Sequence, residues 1–140
     1  DLTGEERVLE VGTGSGYQTA VLAELSGKVF SIERIKSLAD RAVRILDSLG
    51  YYNVLVKVGD GTLGWRDEAP FDRILITAGA PAIPEPLIEQ LAIGGRMVVP
   101  VGEPSGQVLQ KGVRSASGMH WTELGSCVFV KLIGQQAWPE

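Results

Sequence analysis

The sequence has one cysteine, Cys127, and one histidine, His120. A disulfide within the chain is therefore excluded, which accords with a reducing compartment. Neither residue stands in a catalytic pattern, and no metal site is expected. Long apolar runs are also missing. Stretches such as Arg73-Ile74-Leu75-Ile76 are strand-length, far short of the roughly 20 residues that a spanning helix needs. The opening Asp1-Leu2-Thr3-Gly4-Glu5-Glu6 is polar, so no signal peptide is expected. There is no long run of one charge sign, and the net charge is −4. A nucleic-acid or membrane surface is accordingly not expected. These absences point to a globular cytoplasmic protein, expected as a monomer.

What is present is a chain of 140 residues, 44% hydrophobic and 21% charged. That length suits one domain able to bury most of its surface. Short apolar strands alternate with helical spacing. Strands are expected at Arg7 to Val11, Lys28 to Ile32, Asn53 to Val58, Phe71 to Thr77 and Arg96 to Val101. Helices are expected at Tyr17 to Leu25, closed by Gly27, and at Ile35 to Leu49, where Leu38, Ala42, Ile45, Leu46 and Leu49 form the core stripe. A short helix from Glu85 to Leu91 should stop at Gly94-Gly95, and Thr62 to Pro70 should be loop with one short turn. After Gly102 the rhythm changes. Gln107 to Ser115 and His120 to Ile133 read as an antiparallel pair, with Cys127 as inert core and His120 at an edge. The expected fold class is α/β: a doubly wound, Rossmann-like sheet with parallel strands 3-2-1-4-5 and helices on both faces, plus the C-terminal antiparallel pair. Trp65 should cover a loop, and Trp121 and Trp138 should pack on the sheet edge.

Chemistry gathers at the strand ends. Glu10-Val11-Gly12-Thr13-Gly14-Ser15-Gly16 joins the first strand to the first helix. Glycines there let the backbone turn tightly and approach a ligand, and the helix start supplies free N–H groups. The same turn could also bind nothing. Glu33 ends the second strand, 21 residues after Gly12. Open α/β sheets place a ribose-binding carboxylate there; the alternative is a solvated charge paired with Arg34. Asp60, inside Gly59-Asp60-Gly61, ends the third strand, as an adenine acceptor or an ordinary Asp-Gly turn. Together the three strand ends suggest adenosine. Tyr17 stands where a dinucleotide fingerprint has its third glycine. Glu10 puts a carboxylate near the cradle, unfavourable for pyrophosphate and favourable for a sulfonium or ammonium. S-adenosylmethionine carries both cations and no phosphate.

Val8 to Tyr17, Ser31-Ile32-Glu33-Arg34 and Val58-Gly59-Asp60-Gly61-Thr62 resemble motifs of the protein-L-isoaspartate O-methyltransferases. The resemblance continues through Ala69-Pro70-Phe71-Asp72-Arg73-Ile74, Thr77-Ala78-Gly79-Ala80-Pro81 and Ile83-Pro84-Glu85-Pro86-Leu87, then Gly94 to Gly102 and Phe129 to Gly134. It implies methyl transfer from S-adenosyl-L-methionine to the α-carboxylate of L-isoaspartyl residues in damaged proteins and peptides. The ester then closes to a succinimide that reopens partly to normal aspartate. The residues expected to hold the cofactor are Glu10, Gly12, Thr13, Gly14, Ser15, Gly16, Glu33, Arg34, Asp60, Gly61 and Thr77. Ala78, Ala80 and Pro81, in the loop after the fourth strand, are expected on the acceptor side, with Leu132 and Ile133 as the opposite wall.

The sequence departs from the family in three ways. The family has an N-terminal helical segment with a Ser-x-Pro motif, whose serine is assigned to the active site. That serine is expected to lie upstream of Asp1, and residues 1–140 to be one methyltransferase domain cut from a longer chain. Lys131 stands where the family usually has proline, and Gln135-Gln136-Ala137 differs from the usual tail, although Trp138 is kept. A carboxylate nucleophile has an ordinary pKa of about 4 and needs no general base. Alignment is the main requirement. Two other readings stay open: a cofactor-binding fragment without activity, and an NAD-dependent oxidoreductase domain.

Overall fold

The computed structural model describes residues 1–140. Seven strands form one sheet in the order β3-β2-β1-β4-β5-β6-β7. β1 (Arg7–Val11), β2 (Lys28–Glu33), β3 (Val54–Val58), β4 (Phe71–Ile76) and β5 (Leu91–Glu103) run parallel. β6 (Gly106–Ser115) and β7 (Gly118–Cys127) complete the sheet as an antiparallel pair. The expected order and the antiparallel edge are both found.

Alternation along the strands sorts the core into two layers. Leu9, Phe30 and Ile74 are register partners, and with Val11, Ile32, Ile76, Met97 and Val99 they face one side. Leu87 of α3 (Glu85–Gln90) and the half-buried Trp65 cover this layer. Val8 and Val29 face the other side, under Leu22 and Ala23 of α1 (Tyr17–Leu25). α2 (Lys36–Ser48) packs on β2 and β3, with Gly16 at the start of α1 against its Ala42. Helices therefore lie on both faces.

Several expectations are corrected. α2 buries Ala39, Ala42 and Leu46, whereas Ile45 and Leu49 are exposed and Leu38 is half-buried. The small residues set this face, because a Cβ on Gly16 would sit 3.3 Å from the Ala42 methyl; the first loop packs directly onto the helix. Gly27 does not cap α1. Ser26 is the cap, and Gly27 is needed because a Cβ there would lie 2.8 Å from the Glu5 carbonyl oxygen. α3 stops at Gln90, so that Leu91 enters the core opposite Phe71, and Gly94 and Gly95 fall within β5. Arg114 donates to the carbonyls of Ile88, Glu89 and Leu91 and so satisfies the exposed end of that helix. Two short 3₁₀ turns, Gly61–Leu63 and Arg66–Glu68, replace the single turn expected after β3. Trp65 does more than cover a loop: its ring meets Phe30 edge to face, 5.7 Å between centroids.

The last strand differs most. β7 ends at Cys127, which is half-buried rather than core. Residues 128–133 leave the sheet edge and cross to the loop after β4. There Gly79 N donates to the Val130 carbonyl at 2.7 Å and Leu132 N donates to the Gly79 carbonyl at 2.8 Å. Gln107 makes the crossing possible. Its buried amide accepts from Phe129 N at 2.7 Å and donates to the Glu103 carbonyl at 2.6 Å. Backbone groups that lose their ladder partners find new ones.

Candidate functional site

The chain leaves β1 toward β2 on one side, while β4 lies on the other. A crevice at the carboxyl ends follows from this switch. It is a cleft of about 700 Å³. Val11 and Ile32 supply strand tips, and Gly12 and Gly14 the turn after β1. Glu33, Arg34, Ile35 and Leu38 come from the β2–α2 connection, Gly61 from beyond β3, and Thr77 and Ala78 from beyond β4. The far wall is Pro104 with Phe129 to Ile133.

Two glycines shape the turn for different reasons. Gly12 has φ +102° and faces Thr77, whose Oγ1 would lie 2.3 Å from an added Cβ. That hydroxyl is 2.9 and 2.8 Å from the Val11 and Gly12 carbonyls, pinning the turn to the end of β4. Gly14 has φ +54° with open space around it. Its N–H donates to Glu33 Oε2 at 2.9 Å, and Ile35 N donates to Glu33 Oε1 at 3.0 Å. The Glu33 carboxylate is thus fixed at the cleft wall by two backbone donors and keeps acceptor capacity for ligand hydroxyls.

Glu10 does not line the cleft. It points from β1 toward α1 and β2 and is fully buried. Its Oε1 accepts from Thr19 Oγ1 at 2.5 Å and Ser31 Oγ at 2.6 Å. Since Ser31 spends its proton on Glu10, the Thr13 hydroxyl 2.5 Å away must be the donor to Ser31. Glu10 Oε2 has no partner and is the only such buried side-chain atom. Burial pushes this carboxyl up to about 7, against the pull of the Ser31 and Thr19 hydroxyls and with a further push from the Glu33 charge. A buried carboxylate with one oxygen left unpartnered would be stabilised by a positive charge bound nearby.

Asp60 opens into a neighbouring cavity of about 480 Å³, which shares Arg34 and Ile133 with the cleft. Its Oδ1 accepts from Thr62 N at 2.9 Å and Thr62 Oγ1 at 2.7 Å, and its Oδ2 accepts from Gln135 N at 2.8 Å. Burial alone would raise this carboxyl, but the donors from Gln135 and Thr62 hold it below the usual range.

Of the residues singled out in the sequence, Gly12, Gly14, Glu33, Arg34, Gly61, Thr77, Ala78, Leu132 and Ile133 meet in the cleft. Glu10, Thr13 and Gly16 are buried outside its lining, and Ser15 is exposed on the turn. Ala80 is buried in a bridge to Val101, and Pro81 is exposed. Val11, Ile32, Ile35, Leu38, Pro104, Phe129, Val130 and Lys131 also line the cleft, although none of them is assigned a cofactor or acceptor role from the sequence. Helical periodicity hides Leu38 among core positions. The run Phe129-Val130 looked like ordinary strand.

The model of the protein-L-isoaspartate(D-aspartate) O-methyltransferase family matches residues 1–137. A protein-L-isoaspartate O-methyltransferase of Syntrophus aciditrophicus is 62% identical over 141 residues, covering 99% of this chain and 65% of that protein. One from Desulfosudis oleivorans is 56% identical over 138 residues, covering 99% and 62%. The chain thus spans just under two thirds of these relatives. Among solved structures, a protein-L-isoaspartate O-methyltransferase superposes with a TM-score of 0.90 at 30% identity, over 97% of this chain and 44% of that one. A Plasmodium falciparum protein described as a putative member, in complex with S-adenosyl-L-homocysteine, gives 0.78 at 27% identity, over 91% and 66%. On the match of its whole core, from β1 through the wall at residues 129–133, the chain belongs to the protein-L-isoaspartate(D-aspartate) O-methyltransferase family.

Proposed function

We propose that this chain is the S-adenosyl-L-methionine-binding part of a protein-repair methyltransferase. The whole protein would methylate the α-carboxylate of L-isoaspartyl residues in damaged proteins and peptides. The observation that carries this reading is the buried Glu10 with its unpartnered oxygen, two residues before Gly12 on the strand that leads into the glycine turn. A diphosphate would meet repulsion there, and a sulfonium or ammonium attraction. That argues for the methyl donor over NAD.

The other residues fit the same group. Glu33 can accept from both ribose hydroxyls. Asp60 Oδ2 keeps one acceptor site for an exocyclic amino group, and Ile35 and Leu38 offer apolar contact to a ring. When bound, S-adenosyl-L-methionine would supply an electrophilic methyl to an acceptor carboxylate that is already ionised, so none of these residues would need to act as a general base. The protein's task is alignment and exclusion of water, which can be worth several kcal/mol, up to roughly 7–11. Thr77 and the wall at Phe129 to Ile133 would do this work. That the chain spans only part of its relatives' length leaves a second reading: a fragment that binds cofactor without turnover.

Two measurements separate these readings. Titration calorimetry of this chain with S-adenosyl-L-homocysteine should show binding. Labelled methyl should enter an isoaspartyl peptide when the full-length protein is used. Binding without turnover by the isolated chain supports the fragment reading. Failure of the full-length protein to methylate refutes the repair assignment.

A further inference from the structure

Two cationic side chains line the cleft, Arg34 and Lys131. Arg34 stands next to Glu33 and is paired with Glu140. Lys131 has no carboxylate within ion-pair distance and no side-chain hydrogen bond, and it is exposed to the cleft mouth. Its backbone is nonetheless firmly placed. Val130 and Leu132, on either side, are both bonded to Gly79, and Lys131 itself forms a parallel bridge with Gly79 just past β4. Glu33 ends β2. Since β2 and β4 flank β1, Glu33 at the tip of β2 and Lys131, bridged to Gly79 beyond β4, line the cleft from different parts of the sheet edge.

We propose that Lys131 is a specificity-determining contact for the acceptor, its ammonium receiving the free carboxylate of the isoaspartyl unit on the β4 side of the cleft. The proposal rests on the repair reading above. A ligand whose hydroxyls meet Glu33 runs from β2 toward β4, so its reacting end and the acceptor meet near Lys131. An isoaspartyl residue is linked onward through its side-chain carboxyl, so its α-carboxylate is its one charge and also its reacting group. An unpaired ammonium on a flexible stem can follow that group into line. Methylation neutralises the carboxylate, which removes the attraction and favours release of the ester.

The test uses the full-length protein, with Lys131→Gln and Lys131→Arg. For Lys131→Gln we expect the KM for an isoaspartyl peptide to rise about five- to tenfold. The affinity for S-adenosyl-L-homocysteine should stay within about twofold, and Lys131→Arg should restore most of the acceptor KM. The matching peptide with a carboxamide in place of the α-carboxylate should inhibit wild type and Lys131→Gln equally, so that the preference for acid over amide narrows. An unchanged acceptor KM in Lys131→Gln overturns the proposal. So does an equal loss of cofactor-product affinity, which would assign Lys131 to the cofactor's own carboxylate. If the wild-type protein methylates no isoaspartyl peptide, the repair reading itself has failed.

Discussion

Glu10 is worth following because its charge state decides both stability and binding. Burial raises its carboxyl from 4.5 to about 7. Between those values the folded chain holds the proton more tightly than the unfolded chain does. The stability tied to this group is whole below about 4.5 and is lost as pH rises through about 7. Glu10→Gln should therefore raise the unfolding free energy of the ligand-free chain at pH 8, by up to about 3 kcal/mol, with no gain at pH 4. The same variant should bind S-adenosyl-L-homocysteine more weakly. Urea melts at the two pH values check the first statement, and a curve parallel to wild type at both would contradict it. The paired glycines give a second contrast. Gly12→Ala meets both a positive φ and the Thr77 hydroxyl, and should cost about 2–4 kcal/mol in a thermal or urea melt. Gly14→Ala meets only the φ, and should cost about 1 kcal/mol. Gly12, Gly14 and Glu33 were legible in the sequence because strand ends are the one place where short motifs imply position. The inward turn of Glu10 was not: alternation fixes which face of β1 it takes only once the burial of both faces is known.

Among the elements, the wall at residues 128–133 is held by backbone bonds to Gly79 and, at its start, by the Gln107 side chain. Gln107→Leu keeps similar bulk but leaves Phe129 N without its acceptor, so we expect a cost of about 1–3 kcal/mol. Amide exchange should quicken at Phe129 to Leu132 and stay unchanged in β1; uniform quickening would mean that the wall is not held locally. In the sequence this segment was indistinguishable from a longer β7. Strand pattern records which residues can pair, and the partner here is an amide side chain and one distant glycine. The face of α2 was misread for a related reason. Hydrophobicity singled out Ile45 and Leu49, which are exposed, and passed over Ala39, which is buried; Ala42 was expected in the core and is there, against Gly16. Leu46, which like Ala42 is common to both readings, should cost about 2–4 kcal/mol as Leu46→Ala in a urea melt.

For the molecule as a whole, the strand order was the most legible feature. A β-α-β rhythm leaves few parallel arrangements, and right-handed crossovers remove most of those. The C-terminal pair extends the sheet from β5, so the open borders are β3 and β7. If the cleft holds the methyl donor, S-adenosyl-L-homocysteine at a hundredfold excess over Kd should add about 2.7 kcal/mol to stability, while NAD should leave the melting temperature where it was. Stabilisation by NAD alone would restore the oxidoreductase reading. The lone oxygen of Glu10 has a thermochemical consequence as well. A cation bound close to it would make the folded molecule release part of a proton into solution near neutrality, so the heat measured on loading should differ between phosphate and Tris buffers by the difference in their protonation enthalpies times the protons released.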